Sequence, residues 1–197
     1  MKKVEEGDGR YEIRLSGSGG QGLVLAGVIL AEALGVYEGK NVTQTQSYGP
    51  EARGGTSRSD IVVSQGEIYY PKTTELDLLL CLTQESCDGY FGDLKEEGIL
   101  IVDSDRVRQL PIQRAYSLPF INTARDKVGT PVVANVVSLA AVAAISGICS
   151  RESIEKAVLD RAPRGTEEKN KLASDLGFEL GSEARRIRDE RKVSFTD

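Results

Sequence analysis

The chain has 197 residues, 40% hydrophobic and 28% charged, with a net charge of −5; this fits one substantial globular domain and lacks the basic excess of a nucleic-acid binder. It contains no histidine, which excludes a Ser–His–Asp triad, a Cys–His pair, His-ligated zinc and the commonest general base. Its three cysteines, Cys81, Cys87 and Cys149, show no CxxC spacing, so no ferredoxin-type cluster motif or disulfide framework is expected and a reducing cytoplasm is the default location.

The opening MKKVEEGDGR has two lysines but no apolar stretch behind them, so no secretory signal is expected. Residues 11–15 alternate as a strand and run into the cluster Gly17-Ser18-Gly19-Gly20-Gln21-Gly22. A helix then spans 21–34, apolar on most sides and stopped by Gly35. A short strand covers 41–46. Residues 47–55 are too rich in Gly and Pro for regular structure and form a loop. Strands at 56–64 and 67–70 flank Gln65-Gly66 and read as a β-hairpin. Residues 76–82 form a buried strand, 84–94 a helix and 98–102 a second buried strand. A further strand lies near 115–118.

Beyond it the pattern is helical. Thr130 caps a helix with Pro131 at its first position. Residues 131–148 are almost continuously apolar, but Ala, Gly, Asn135, Ser138 and Ser146 suit a core or interface helix better than a membrane span. Ser150 caps a helix carrying Ile154, Ala157 and Val158 at helical spacing. Thr166 precedes a last helix bearing Leu172, Leu176 and Leu180, weakened by Gly177 and Gly181. Its charged end, 183–192, frays or docks on a partner. The fold class is therefore α/β: a Rossmann-like sheet, mostly parallel with an antiparallel hairpin, helices on both faces. Residues 11–160 form the Rossmann-like domain and 161–197 a C-terminal helical extension of it.

Gly17, Gly19 and Gly22 satisfy G-x-G-x-x-G between a strand and a helix. Such glycines allow a tight turn and let a phosphate approach the backbone, while the helix N-terminus offers N–H groups and a positive dipole end. A dinucleotide site also requires a carboxylate at the end of the second strand. That strand ends Thr43-Gln44-Thr45-Gln46, with no acid and no arginine. Glycines that serve helix packing, or a loop that touches a partner's ligand, outweigh a nicotinamide or flavin site.

The loop Gly49-Pro50-Glu51-Ala52-Arg53-Gly54-Gly55 joins a rigid turn, an acid–base pair and two permissive glycines. It is expected beside the glycine turn, at the carboxyl edge where α/β sheets bind ligands. Taken alone, Glu51 and Arg53 bracing the turn is the simpler reading.

Taken together, Gly17-Ser18-Gly19-Gly20-Gln21-Gly22, Gln46-Ser47-Tyr48-Gly49-Pro50-Glu51-Ala52-Arg53-Gly54-Gly55 and Asn135-Val136-Val137-Ser138-Leu139 resemble the γ chain of 2-oxoacid:ferredoxin oxidoreductases, and the 2-oxoglutarate branch most closely. The likeness runs from about Ile13 to Ile148. It implies a subunit of an oxidoreductase, inactive alone, serving CoA-dependent oxidative decarboxylation to an acyl-CoA with ferredoxin as electron acceptor. The implied partners are α and β chains and a ferredoxin-like δ chain, with thiamine diphosphate, Mg2+ and iron–sulfur clusters in those partners; neither nucleic acid nor membrane is involved. Gly17, Ser18, Gly19, Gly20, Gln21 and Gly22 become an anion or CoA-phosphate loop, and Glu51, Arg53, Gly54 and Gly55 a second loop at a ligand or a subunit interface. Two alternatives stand beside this: an assembly subunit that touches no ligand, and a free-standing NAD(P)- or flavin-dependent oxidoreductase, which requires the purified chain to bind a dinucleotide.

Overall fold

The computed structural model describes residues 9–48 and 56–193. Six strands form one sheet in the order β2-β3-β1-β4-β5-β6. They are β1 (Tyr11–Ser18), β2 (Asn41–Tyr48), β3 (Thr56–Ser64), β4 (Leu76–Cys81), β5 (Leu94–Asp103) and β6 (Tyr116–Leu118). β1, β4, β5 and β6 run parallel, with Leu15 opposite Leu80 and Leu80 opposite Ile101. β3 is antiparallel to both its neighbours: Ile61 faces Ile13 on one side and Gln44 on the other.

The helices are α1 (Leu23–Glu32), α2 (Gln84–Tyr90), α3 (Phe120–Thr123), α4 (Ala134–Ser146), α5 (Arg151–Arg161) and α6 (Glu167–Val193). α1 runs on into a wide π-helical turn, Ala33–Tyr37. Alternation along the strands decides which face each side chain takes, apart from an irregularity of β4 between Leu76 and Leu78. Ile13, Leu15, Ile61 and Leu78 join one large core with α1, α4, α5 and α6. On the other face Leu76, Leu79, Cys81, Leu100 and Val102 form a smaller core with Cys87 of α2. Helices thus lie on both faces, unequally. α4 is the centre of the large core: from Ala134 to Ala143 every residue is buried, its Asn and Ser included. Among the described residues no helix is long and apolar enough to cross a membrane.

The expected hairpin across Gln65-Gly66 does not form. Residues 67–70 are not a strand, and the reason is edge occupancy: β2 takes one edge of β3 and β1 takes the other. The antiparallel hairpin is instead β2–β3, and residues 49–55 connect its legs. The chain after Gly66 crosses the second face of the sheet. There the Arg10 guanidinium donates to the carbonyls of Tyr70 and Lys72, both at 2.8 Å, and Glu12 accepts from the Thr74 and Glu75 amides.

Beneath this strap lies a buried charge cluster. Arg14, 4% exposed, grips both oxygens of Asp60 at 2.6 and 3.1 Å. It also donates to Asp93 and to Thr73, and stands 4.9 Å from the centre of the Tyr90 ring.

Several turns follow local chemistry. Thr130 accepts from the Val132 amide and Ser150 from the Ser153 amide, as their positions before Pro131 and α5 predict. The last helix differs from expectation. Gly177 and Gly181 face α4, where an added Cβ would lie 2.2 Å from the Val137 carbonyl oxygen and 2.8 Å from that of Ala141. These glycines give up helix propensity for close approach of two helices. Leu172, by contrast, is 43% exposed.

A second polar cluster ties the turn after α1 to the α4–α5 junction. Glu38 pairs with Lys40 at 2.7 Å and accepts from the Ser150 amide at 2.6 Å, while Lys40 donates to the Ile148 carbonyl. Burial alone would raise the Glu38 pKa; donation from Lys40, Ser150 and Cys149 outweighs it and holds the carboxyl at about 2. A carboxyl whose pKa is lower folded than unfolded binds fewer protons in the native state, so its stabilisation is complete above about 4.5 and lost as pH falls towards 2. Glu38→Gln should therefore flatten the acid limb of a stability–pH curve between those values, as read by urea unfolding at stepped pH.

Candidate functional site

The parallel strands β1, β4 and β5 end together, and the glycine turn emerges from the first of them. Gly20 and Gly22 hold positive φ, 88° and 72°, which only glycine adopts without strain. The turn is latched from within: Gln21 Oε1 accepts from the Ser18 amide at 2.8 Å, and the Gln21 amide donates to the Ser18 carbonyl at 3.3 Å. Gly17 leaves room for this latch, since a Cβ there would sit 2.2 Å from Gln21 Oε1. One amide of the turn is thus already satisfied by a side chain. Gly19 and Gly20 lie exposed at its tip.

Gly22 caps α1 with no side chain of its own. Its carbonyl accepts from the Ala26 amide at 2.9 Å and from Asn135 Nδ2 at 3.2 Å. A Cβ on Gly22 would meet that Nδ2 at 2.6 Å, so Gly22 clears space for Asn135 at the start of α4. Close helix–strand packing falls to a different glycine. At Gly27 a Cβ would lie 1.9 Å from Ser59 Oγ on β3; the helical run around it hides this role in the sequence.

Glu51, Arg53, Gly54 and Gly55 lie outside the described residues. The strand ends on either side of them do not. Tyr48 is opposite Ser57, Ser57 opposite Gly17, and Thr56 opposite Ser18. Ser57 Oγ donates to the Ser18 carbonyl at 3.3 Å, and Thr56 Oγ1 lies 3.2 Å from the Tyr90 hydroxyl. The second loop therefore leaves and re-enters the sheet beside the glycine turn.

The structure adds a residue that sequence reasoning missed. A cavity of about 260 Å³ borders Gly20 and Gln21, with Leu82, Ile121 and Val132 as apolar walls and, among the described residues, Arg106 as its one charged group. Arg106 is exposed and makes no ion pair among the described residues. Its turn is set by Asp103, fully buried at the end of β5, whose carboxylate accepts from the amides of Asp105, Arg106 and Ile121 at 3.0–3.1 Å. Burial pushes the Asp103 carboxyl up, and the three amide donors only partly offset this. An acid at a strand end followed by Ser-Asp-Arg was the available signal.

The cysteines are all buried, and Cys87 shows no accessible surface. Desolvation pushes the Cys81 thiol up, and burial followed by the Glu38 carboxylate pushes Cys149 up to about 12. Neither suits a nucleophile. Among the described residues no group of three or more His, Cys, Asp or Glu side chains could hold a metal.

The arrangement defines a class: a Rossmann-like domain with a glycine turn at the carboxyl edge of its sheet and, among the described residues, Arg106 beside that turn. The family model for pyruvate ferredoxin/flavodoxin oxidoreductase matches residues 12–180, and the chain belongs to that family. It is 48% identical to 2-oxoglutarate synthase subunit KorC of Methanocaldococcus jannaschii over 88% of this chain and 95% of the relative. Among solved structures, the γ subunit of a keto/oxoacid ferredoxin oxidoreductase from Geobacter sulfurreducens is 51% identical, with a TM-score of 0.82 over 89% of this chain and 98% of that one. A 2-oxoglutarate:ferredoxin oxidoreductase from Magnetococcus marinus, solved with 2-oxoglutarate, coenzyme A and succinyl-CoA, shares the fold at 20% identity, with a TM-score of 0.78 over 89% of this chain and 31% of that one.

Proposed function

We propose that this chain is the non-autonomous γ subunit of a cytoplasmic 2-oxoglutarate:ferredoxin oxidoreductase, and that its glycine turn receives the phosphates of coenzyme A. The observation that carries the reading is similarity to a 2-oxoglutarate synthase subunit along nearly the full length of both chains. The overall reaction is oxidative decarboxylation of the oxoacid: carbon dioxide leaves, the acyl group is captured by the CoA thiol, and the electrons pass to ferredoxin. Thiamine diphosphate with Mg2+, and iron–sulfur clusters, would supply the carbon and electron chemistry from the partner subunits. The extension 161–197 is proposed to belong to the 11–160 domain, because Ala173 and Phe178 of α6 sit in its core.

This chain contributes binding and orientation. The turn at Gly20 and Gln21 and the Arg106 side chain border one cavity, which suits an organic phosphate with an apolar portion against Leu82, Ile121 and Val132. Arg53, with Glu51 orienting it, would close the rim from the second loop, where Gly54 and Gly55 allow the backbone to approach. A dinucleotide site is poorly served by the topology. β3 stands between β1 and β2, so the strand end that would hold a ribose lies one strand too far out, and it carries no acid.

In the assembled oxidoreductase, Arg106→Ala and Arg53→Ala should each raise the apparent KM for CoA about tenfold, the loss of one charge-assisted hydrogen bond, with kcat and assembly unchanged. Unaltered kinetics for both variants would overturn the ligand role and leave a subunit that serves assembly alone.

A further inference from the structure

On the far side of Val132 from the glycine turn lies a second cavity, of about 320 Å³, between α1, the Thr130–Val136 segment and the α5–α6 junction. Ile29, Val133, Val136 and Val158 give it aliphatic walls, with Thr130, Asn135, Thr166 and Asn170 as polar groups among them. Two further aliphatic side chains stand at its mouth in water, Val132 at 78% exposure and Leu25 at 42%. Isolated apolar groups on a surface are ordinary; two framing an apolar cavity mark a contact site. Charge narrows the occupant. The chain carries a net −5, yet the charged residues lining this cavity are both cations, Arg161 and Lys169. Arg161 is neutralised by Glu32 at 2.6 Å, while Lys169 makes no ion pair among the described residues.

We propose that this face seats another subunit of the oxidoreductase, which inserts an apolar side chain into the cavity and sets a carboxylate against Lys169. The inference rests on the subunit reading above and adds where the partner sits. Because Val132 lines both cavities, the docked subunit also walls the glycine-turn site, so the ligand would meet two chains at once.

The test uses the chain co-expressed with the other subunits of its oxidoreductase. Affinity for those subunits is measured by biolayer interferometry on the purified components. Val132→Asp and Leu25→Asp should each weaken it at least about thirtyfold, as loss of an interface hot spot does. Lys169→Glu should weaken it and Lys169→Arg restore it. Tyr69→Asp, at a site 84% exposed on the strap across the other face, should change it within about twofold. Thermal melts of the isolated variants check folding, which substitution at exposed sites should spare. Wild-type affinity in Val132→Asp and Leu25→Asp, or an equal loss in Tyr69→Asp, overturns the proposal. So does a wild-type chain that is a dimer by light scattering and becomes monomeric on Val132→Asp, since the face would then serve a second copy. A wild-type chain that binds no other subunit overturns the subunit reading itself.

Discussion

Replacing Arg14 with methionine should destabilise the chain by about 3–5 kcal/mol, the usual cost of stranding one partner of a buried ion pair. Asp60 is 8% exposed and both its oxygens are held by this guanidinium. Without it the carboxylate has Arg58 at 3.6 Å and the Thr73 hydroxyl at 3.2 Å in place of a bidentate clamp. The loss is mainly that of a buried charge left poorly solvated, so removing the charge should return much of it. Arg14→Met with Asp60→Leu should be far closer to wild type than the single variant is, in urea unfolding followed by circular dichroism. A double variant as unstable as the single one would show that the cluster stabilises through its packing around Tyr90 instead.

The second large effect is expected at Gly177. Alanine there places a methyl group 2.2 Å from the Val137 carbonyl oxygen and 2.7 Å from the Ala140 methyl. The near atom belongs to helical backbone and cannot swing aside, so α6 must lift from α4. Overpacking of this kind costs about 3 kcal/mol at the upper end of its usual range, against a gain of about 1 kcal/mol in helix propensity. A net loss near 2 kcal/mol is expected in the same unfolding assay. Gly89 in α2 provides the contrast: a Cβ there meets nothing within 4 Å, and Gly89→Ala should be neutral or stabilising. If Gly177→Ala also proved stabilising, the close α4–α6 contact would be refuted.

These two cases show what could be read from the residues and what could not. The strands at 11–15, 76–82 and 98–102 were legible because apolar runs bounded by turn residues are local statements. The same holds for the caps at Thr130 and Ser150 and for the glycine turn between β1 and α1. The place of β3 was not legible. Gln65-Gly66 is a sound hairpin signal, but a hairpin needs a vacant edge, and occupancy of both edges of β3 is decided by β1 and β2, far away in sequence. Gly177 and Gly181 misled for a similar reason: propensity counts a glycine as a weakness, while its use depends on a helix some 40 residues earlier, facing it across the core. Arg106 is one of 25 basic residues, and only the fold reveals that its turn stands beside Gly20. Glu51 and Arg53 stand out by motif and lie outside the described residues.

The antiparallel placement of β3 has a mechanical consequence. Tyr48, Ser57 and Gly17 fall on one row across three strands, with Thr56 beside Ser18 on the next. Residues 49–55 thus join the two legs of a ribbon whose inner leg is stitched to the strand that ends in the glycine turn. A load placed on those residues by an attached chain would travel down the leg to the Ser57–Gly17 and Thr56–Ser18 pairings. Gripping the ribbon and shaping the turn would then be a single mechanical act.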